Sequence, residues 1–167
     1  EYVGPVYMRF GRMAAPVIND NPDYKFELGK GIVLRDGTDI TIVATGLMVS
    51  EALDAAEMLA KQDISAQVIN IHTIKPIDAD LIISAAKKTG KVLTVEEHSI
   101  IGGLGEAVCS VLSENYPVPV KRIGVNDVFG HSGPAAALLK QFGLCAENIE
   151  KTAREMLNKK LQLLNMN

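Results

Sequence analysis

The chain predicts an α/β fold: a three-layer α/β/α sandwich on a mostly parallel five-stranded sheet plus one antiparallel strand. Three observations carry this. From residue 31 on, strand-like and helix-like segments follow the order β-β-α-β-α-β-α-β-α-α. Strands that alternate with helices imply a parallel sheet covered on both faces. The runs at 40–45, 66–71 and 92–95 are close to continuously apolar, as strands buried on both faces are. Finally, Val92 to Val95 stops abruptly at Glu96-Glu97-His98, and the glycines 102, 103 and 105 and a helical segment follow. That reads as a buried strand feeding a polar loop at its carboxyl end, where ligands and interfaces collect in open α/β sheets.

Taken in order, Val6-Tyr7-Met8-Arg9-Phe10 reads as a short strand, since Val, Tyr and Phe favour sheets. Residues 13–30 carry Pro16, Asn19, Asn21, Pro22 and Gly29, which is linker chemistry. The chain is therefore divided into a tail and linker over 1–25 and a domain over 26–167. Residues 31–35 and 39–45 flank Asp36-Gly37 and predict a hairpin, because a type I′ turn needs positive φ. Leu47 to Lys61 is helical, with Leu53, Ala56, Leu59 and Ala60 at three- and four-residue spacing and Ser50 near its start. Ala66 to Ile71 is a strand. Asp78 caps a helix of Leu81, Ile82, Ala85 and Ala86 that ends at Gly90. Lys91 to Val95 is the next strand and Gly103 to Asn115 the next helix. Val118 to Val125 is a strand, with Pro119 at its start or edge. Pro134 opens a short helix, and Ala146 to Leu164 is the last one.

Bulk composition excludes several classes. A net charge of -3 gives no electrostatic case for nucleic acid or an anionic membrane. No apolar segment nears the roughly 18 residues that span a bilayer, and Glu1-Tyr2-Val3-Gly4-Pro5 lacks a charged start followed by an apolar signal core. The missing initial Met suggests a piece of a longer chain. Cys109 and Cys145 lack a second cysteine at metal-ligand spacing and read as reduced, partly buried thiols of a cytoplasmic protein.

Four sets of residues bear on chemistry. Glu96, Glu97 and His98 form a carboxylate–imidazole cluster suited to proton transfer; the alternative is a solvated loop or a contact between subunits. No Ser or Cys nearby completes a triad. Gly102, Gly103 and Gly105 at a helix start can present N–H groups to a phosphate, or serve close packing against the sheet or a partner. A dinucleotide fingerprint fails, because its third glycine would be Val108, and no Gly-Lys-Ser/Thr forms a phosphate loop. His72, His98 and His131 each follow a strand and could meet at one sheet edge. No partners at metal-ligand spacing accompany them. Arg9 and Arg12 flank Phe10-Gly11; an arginine at a strand end can take a phosphate bidentately or form a weak surface pair.

Read together, several segments resemble one family. Asn70-Ile71-His72-Thr73-Ile74-Lys75-Pro76-Ile77-Asp78 resembles a strand–loop–helix of the C-terminal domain of transketolase-like thiamine diphosphate enzymes. Val95-Glu96-Glu97-His98 with Gly102-Gly103-Leu104-Gly105 resembles that domain's next strand and helix start. Asp39 to Gly46 resembles its first parallel strand. Asp127-Val128-Phe129-Gly130, Gly133 and Phe142-Gly143-Leu144 resemble its closing segment, and Val6 to Arg12 resembles the end of the preceding pyrimidine-binding domain. Within the family, the chain most resembles the separately encoded C-terminal section of a split transketolase; deoxyxylulose-phosphate synthase and the β chain of 2-oxo acid dehydrogenases share the domain.

The resemblance implies transfer of a two-carbon ketol unit between sugar phosphates, with thiamine diphosphate and Mg2+ in the full enzyme. It implies that the cofactor ligands lie in other domains, so that this segment alone binds none and is inactive. Glu96, Glu97 and Glu106 are not the cofactor-activating glutamate. Arg9 matches the family arginine that binds the substrate phosphate, whereas Arg12 departs from the sugar-phosphate enzymes. The implied partners are the N-terminal section of the same enzyme, in a homodimer or heterotetramer, and a sugar phosphate. His72, Glu97, His98, Gly102, Gly103, Gly105 and His131 are the expected interface or ligand loop. A non-catalytic module that binds a regulatory ligand or partner is the alternative.

Overall fold

The computed structural model describes residues 2–8, 10 and 14–164. Its elements run β1 (Ile32–Arg35), β2 (Ile40–Ala44), α1 (Met48–Ala60), β3 (Ala66–Asn70), α2 (Ala79–Thr89), β4 (Val92–Ser99), α3 (Leu104–Asn115), β5 (Val120–Val125), α4 (Ala135–Gln141) and α5 (Ala146–Leu164). The sheet has five strands in the order β1-β3-β2-β4-β5, the antiparallel strand included. β2, β3, β4 and β5 are parallel, and β1 runs antiparallel to β3.

β2 is central because its residues have no polar escape: Ile40 to Ala44 are all buried. Ile40, Ile42 and Ala44 face α1 and α5, with Val68, Leu93 and Val95 beside them. Val43 faces α2 and α3, with Ile69, Ile71 and Val92. Each fully buried Ile or Leu contributes roughly 1.5–3 kcal/mol, so this alternation fixes which helix lies on which face. Two polar residues of these strands, Thr41 and Gln67, are satisfied internally. The Thr41 hydroxyl donates to Gln67 Oε1 at 3.0 Å and shares a 2.8 Å hydrogen bond with Thr89.

The expected hairpin does not form. β1 pairs with β3 (Ile32↔Asn70, Val33↔Ile69), and the segment after Arg35 crosses the start of β3 to reach β2. Thr38 and Asp39 donate their N–H groups to Ser65 O at 3.0 and 2.9 Å. The reason lies in burial. A strand covered on both faces needs a parallel neighbour on each side, and the β2–α1–β3 crossover supplies one directly. β1, half exposed, takes the edge.

Three further boundaries differ. β4 continues through Glu96, Glu97 and His98 to Ser99, so the acids sit on the strand rather than in a loop. β5 begins at Val120, and Pro134 precedes α4 as its N-cap. Among the described residues of Val6–Phe10 there is no strand. Tyr7 and Phe10 are exposed, and among the described residues no neighbour takes the backbone groups that a strand must pair. Ser50 does not cap α1; its hydroxyl turns back to Leu47 O.

Asp78 caps α2 as expected. Its carboxylate accepts from Leu81 N at 3.3 Å and also from Gly31 N at 3.0 Å, tying the start of β1 to the helix. Gly90 closes α2 in the left-handed conformation, φ 69°. Asp78→Ala is expected to cost about 1–2 kcal/mol, because cap and tether are lost together; equilibrium unfolding in urea measures it.

Candidate functional site

The carboxyl edge of β4 is organised by one buried acid. Glu96 is 1% exposed. Its Oε2 accepts from Leu104 N and its Oε1 from Gly105 N, both at 2.8 Å. The carboxylate thus occupies the N-terminus of α3, where free N–H groups and the helix dipole favour a negative charge. A phosphate at that end would meet a site already filled by the chain's own anion.

The glycines follow from this clamp. A Cβ on Gly103 would lie 2.0 Å from Glu96 Oε2. One on Gly105 would lie 2.7 Å from the Arg122 side chain and 3.0 Å from Thr94 Oγ1. Gly102 has φ +75° and open space around it, so its need is conformational. Arg122 completes the edge: Nη1 donates to Ile100 O at 2.9 Å and stands 3.8 Å from the Glu106 carboxylate.

Beyond Glu96 the strand turns outward. Glu97 and His98 are exposed. Glu97 lines a cavity of about 200 Å³ beneath α4, with Val125, Leu138, Leu139, Phe142 and Leu144 among its walls. No residue of α4 is fully buried. The loops after β4 and β5 carry exposed apolar residues: Ile101, Val128 and Phe129, the last 95% exposed. A surface of this kind, apolar and rimmed by polar side chains, suits contact with another protein.

The three histidines do not converge, because β3 and β4 flank β2 on opposite sides. His72 stacks on Phe26, ring centroids 4.7 Å apart, and its Nδ1 lies 2.9 Å from Thr73 Oγ1. His131 bonds Gln141 through Nδ1 at 2.7 Å and lies against Phe142. His98 stands alone on β4. Among the described residues no group of three or more His, Cys, Asp or Glu is placed to hold a metal ion. Arg9 and Arg12 lie outside the described residues. Cys109 and Cys145 are partly buried free thiols, and burial pushes the Cys145 thiol up from its ordinary value, away from the thiolate a nucleophile requires.

Sequence reasoning missed the capping roles of two acids. Glu96 acts across eight residues as a cap for α3, and Glu51 acts across the domain: its carboxylate accepts from Ala146 N at 2.7 Å and caps α5 from α1. An acid ahead of a glycine-initiated helix was a usable signal for the first. No local signal exists for the second, whose partners are 95 residues apart.

Comparison with known proteins gives a consistent picture. A family model described as "Transketolase, C-terminal domain" matches residues 29–149. The chain is 50% identical over 157 residues to the 6-deoxy-6-sulfo-D-fructose transketolase subunit SqwH of Clostridium sp. strain MSTE9, covering 94% of this chain and 48% of that protein. It is 46% identical over 159 residues to one of the subunits of the apulose-4-phosphate transketolase of Phocaeicola vulgatus, covering 95% and 51%. A solved structure described as "Split gene transketolase, inactive beta4 tetramer" superposes with a TM-score of 0.86 at 50% identity, covering 93% of this chain and 50% of that one. The chain spans about half the length of these relatives.

Proposed function

Since this chain belongs to the transketolase C-terminal domain family, we propose that it is the C-terminal part of a thiamine diphosphate-dependent transketolase, which moves a two-carbon ketol unit between sugar phosphates. The observation that carries this reading is the 50% identity, along almost the whole chain, to a transketolase subunit. The exposed Ile101, Val128 and Phe129 support an assembly role for the same edge.

Thiamine diphosphate, when bound in the whole enzyme, supplies the carbanion chemistry. The residues of the α3 edge do not fit it. They assemble no metal-ligand group, and the α3 N-terminus that suits a diphosphate holds Glu96. In this reading the cofactor and Mg2+ belong to other parts of the enzyme. This chain's own work is positional: Glu96 fixes the start of α3, and with it the strand end that carries Glu97 and His98. Those two residues, with Gly102, Gly103, Gly105 and His131, border the surface offered to the partner. His72, on the far side of β2, is set apart from it. The partner is the N-terminal section, in a homodimer or heterotetramer of the cytoplasm. Residues 1–25 are read as the tail end of the pyrimidine-binding domain and the linker, and Arg9 there as the group that takes the substrate phosphate.

The test is expression with the upstream section and an assay of ketol transfer from xylulose 5-phosphate to ribose 5-phosphate, with thiamine diphosphate and Mg2+. Activity is expected, and Arg9→Ala should lower kcat/KM about 100-fold, mainly through KM, because a bidentate phosphate contact is lost. Turnover of pyruvate or a branched 2-oxo acid in place of the sugar phosphates would move the chain to a sister enzyme.

A further inference from the structure

The opposite side of β2 carries a second feature. α1 leaves β2 on one face of the sheet, whereas α2 and α3, which follow β3 and β4, lie on the other. The carboxyl edge between β2 and β3 is therefore a point where successive connections part to opposite faces, the place where open α/β sheets leave a crevice for ligands. α1 starts there without a side-chain cap. The N–H groups of Gly46 and Leu47 donate to no carbonyl or side chain among the described residues. Gly46 has φ +58° and is exposed, so solvent reaches this end of α1. Glu51, the acid of the first turn, is engaged with Ala146 N and is not aimed at this end.

The adjoining strand supplies an independent sign of a ligand. Asn70 is paired in register with Ala44, and the alternation along β3 puts its side chain on the α1 face, with Val68. Asn70 is 4% exposed, and its buried Oδ1 has no hydrogen-bond partner. Two residues on, on the same side of the chain, His72 Nε2 is also buried without a partner. A buried polar atom without a partner has given up its water for nothing, so two such atoms at the end of the strand that adjoins β2 are not accounted for by packing alone. A half-turn of χ2 presents the Asn70 amide nitrogen to the same space. In the tautomer whose Nδ1 accepts the Thr73 hydroxyl hydrogen, the His72 proton is on Nε2 and that nitrogen is a donor.

We propose that this edge is a binding site for a small oxyanion, a phosphate or carboxylate group, held by the N–H groups of Gly46 and Leu47, the Asn70 amide and His72 Nε2–H. It shares no residue with the α3 edge or with Arg9, so it stands or falls apart from the transferase reading.

The test is a nuclear magnetic resonance titration of the 15N-labelled chain with inorganic phosphate at constant ionic strength, followed by ribose 5-phosphate and acetate. Saturable shifts are expected at the Gly46 and Leu47 amides and at the Asn70 side-chain amide. Tighter binding of ribose 5-phosphate would assign an organic phosphate, and tighter binding of acetate a carboxylate. Asn70→Leu should weaken binding at least about tenfold, since one directed contact is worth about that factor. That substitution removes an unpaired polar group in favour of an apolar one, so the fold survives it. His72→Leu should also weaken binding, and His72→Gln, which keeps a donor, should restore much of it. The proposal fails if none of the three anions saturates. It also fails if saturation is unchanged in Asn70→Leu, or if the shifts fall at Gly103 to Gly105 instead.

Discussion

Glu96→Ala is expected to destabilise the domain by about 3–4 kcal/mol, the cost of breaking a buried charge-assisted contact. The carboxylate is 1% exposed and holds two backbone N–H groups at 2.8 Å. Alanine leaves both donors buried without an acceptor, leaves a cavity between β4 and α3, and removes the charge opposite the helix dipole. Glu96→Gln retains the shape and one acceptor, and should lose about half as much. Gly103→Ala acts on the same contact from the other side, since its Cβ would stand 2.0 Å from Glu96 Oε2. The double variant Glu96→Ala/Gly103→Ala should therefore cost less than the sum of the two, because the first substitution empties the space that the second needs. Urea unfolding followed by circular dichroism measures all four. A Glu96→Ala protein within about 0.5 kcal/mol of the parent, the range of ordinary surface substitutions, would mean that α3 is held by packing and the carboxylate is incidental.

How much of this was legible in the sequence depends on the range of the interactions involved. The order of strands and helices was readable because each element carries its own signature. Ile40, Ile42 and Val43 need cover on both sides whatever their neighbours, and Asp78 and Gly90 mark the ends of α2 within a few residues. The site was less legible. Glu96 and Glu97 are adjacent acids, yet one is buried and one exposed. The difference comes from two N–H groups that only the start of α3 supplies. His72, His98 and His131 share the same local context, each following a strand, and are separated by a strand order that local patterns do not encode. Asn70 looked like one residue within the apolar run 66–71. Its unpaired Oδ1 exists only once β2 lies beside it and α1 above.

Gly37→Ala tests the largest departure between local signal and observed topology. In the type I′ hairpin that Asp36-Gly37 suggests, alanine would cost about 1–2 kcal/mol, the penalty of a left-handed backbone. In the observed fold Gly37 has no positive φ, and its need is for space. A Cβ there would lie 2.3 Å from Ala66 C and Gln67 N and 2.7 Å from Ala66 O. These are backbone atoms at the start of β3, fixed by the Ile40↔Ala66 and Thr41↔Gln67 pairing. The crossing segment cannot lift away cheaply, since Thr38 N and Asp39 N are bonded to Ser65 O and Asp39 Oδ2 accepts from Ser65 N at 2.7 Å. The expected loss is about 3 kcal/mol or more, at the upper end of overpacking costs because backbone rather than side chain must yield. Gly90→Ala is the matched control: φ is +69° and nothing lies within 4 Å of the added methyl, so only the conformational penalty of about 1 kcal/mol applies. Unfolding free energies of the two variants in urea separate space from conformation. If Gly37→Ala costs no more than Gly90→Ala, β1 does not reach its place beside β3 by crossing over Ala66, and a β1–β2 hairpin becomes the better account of that edge.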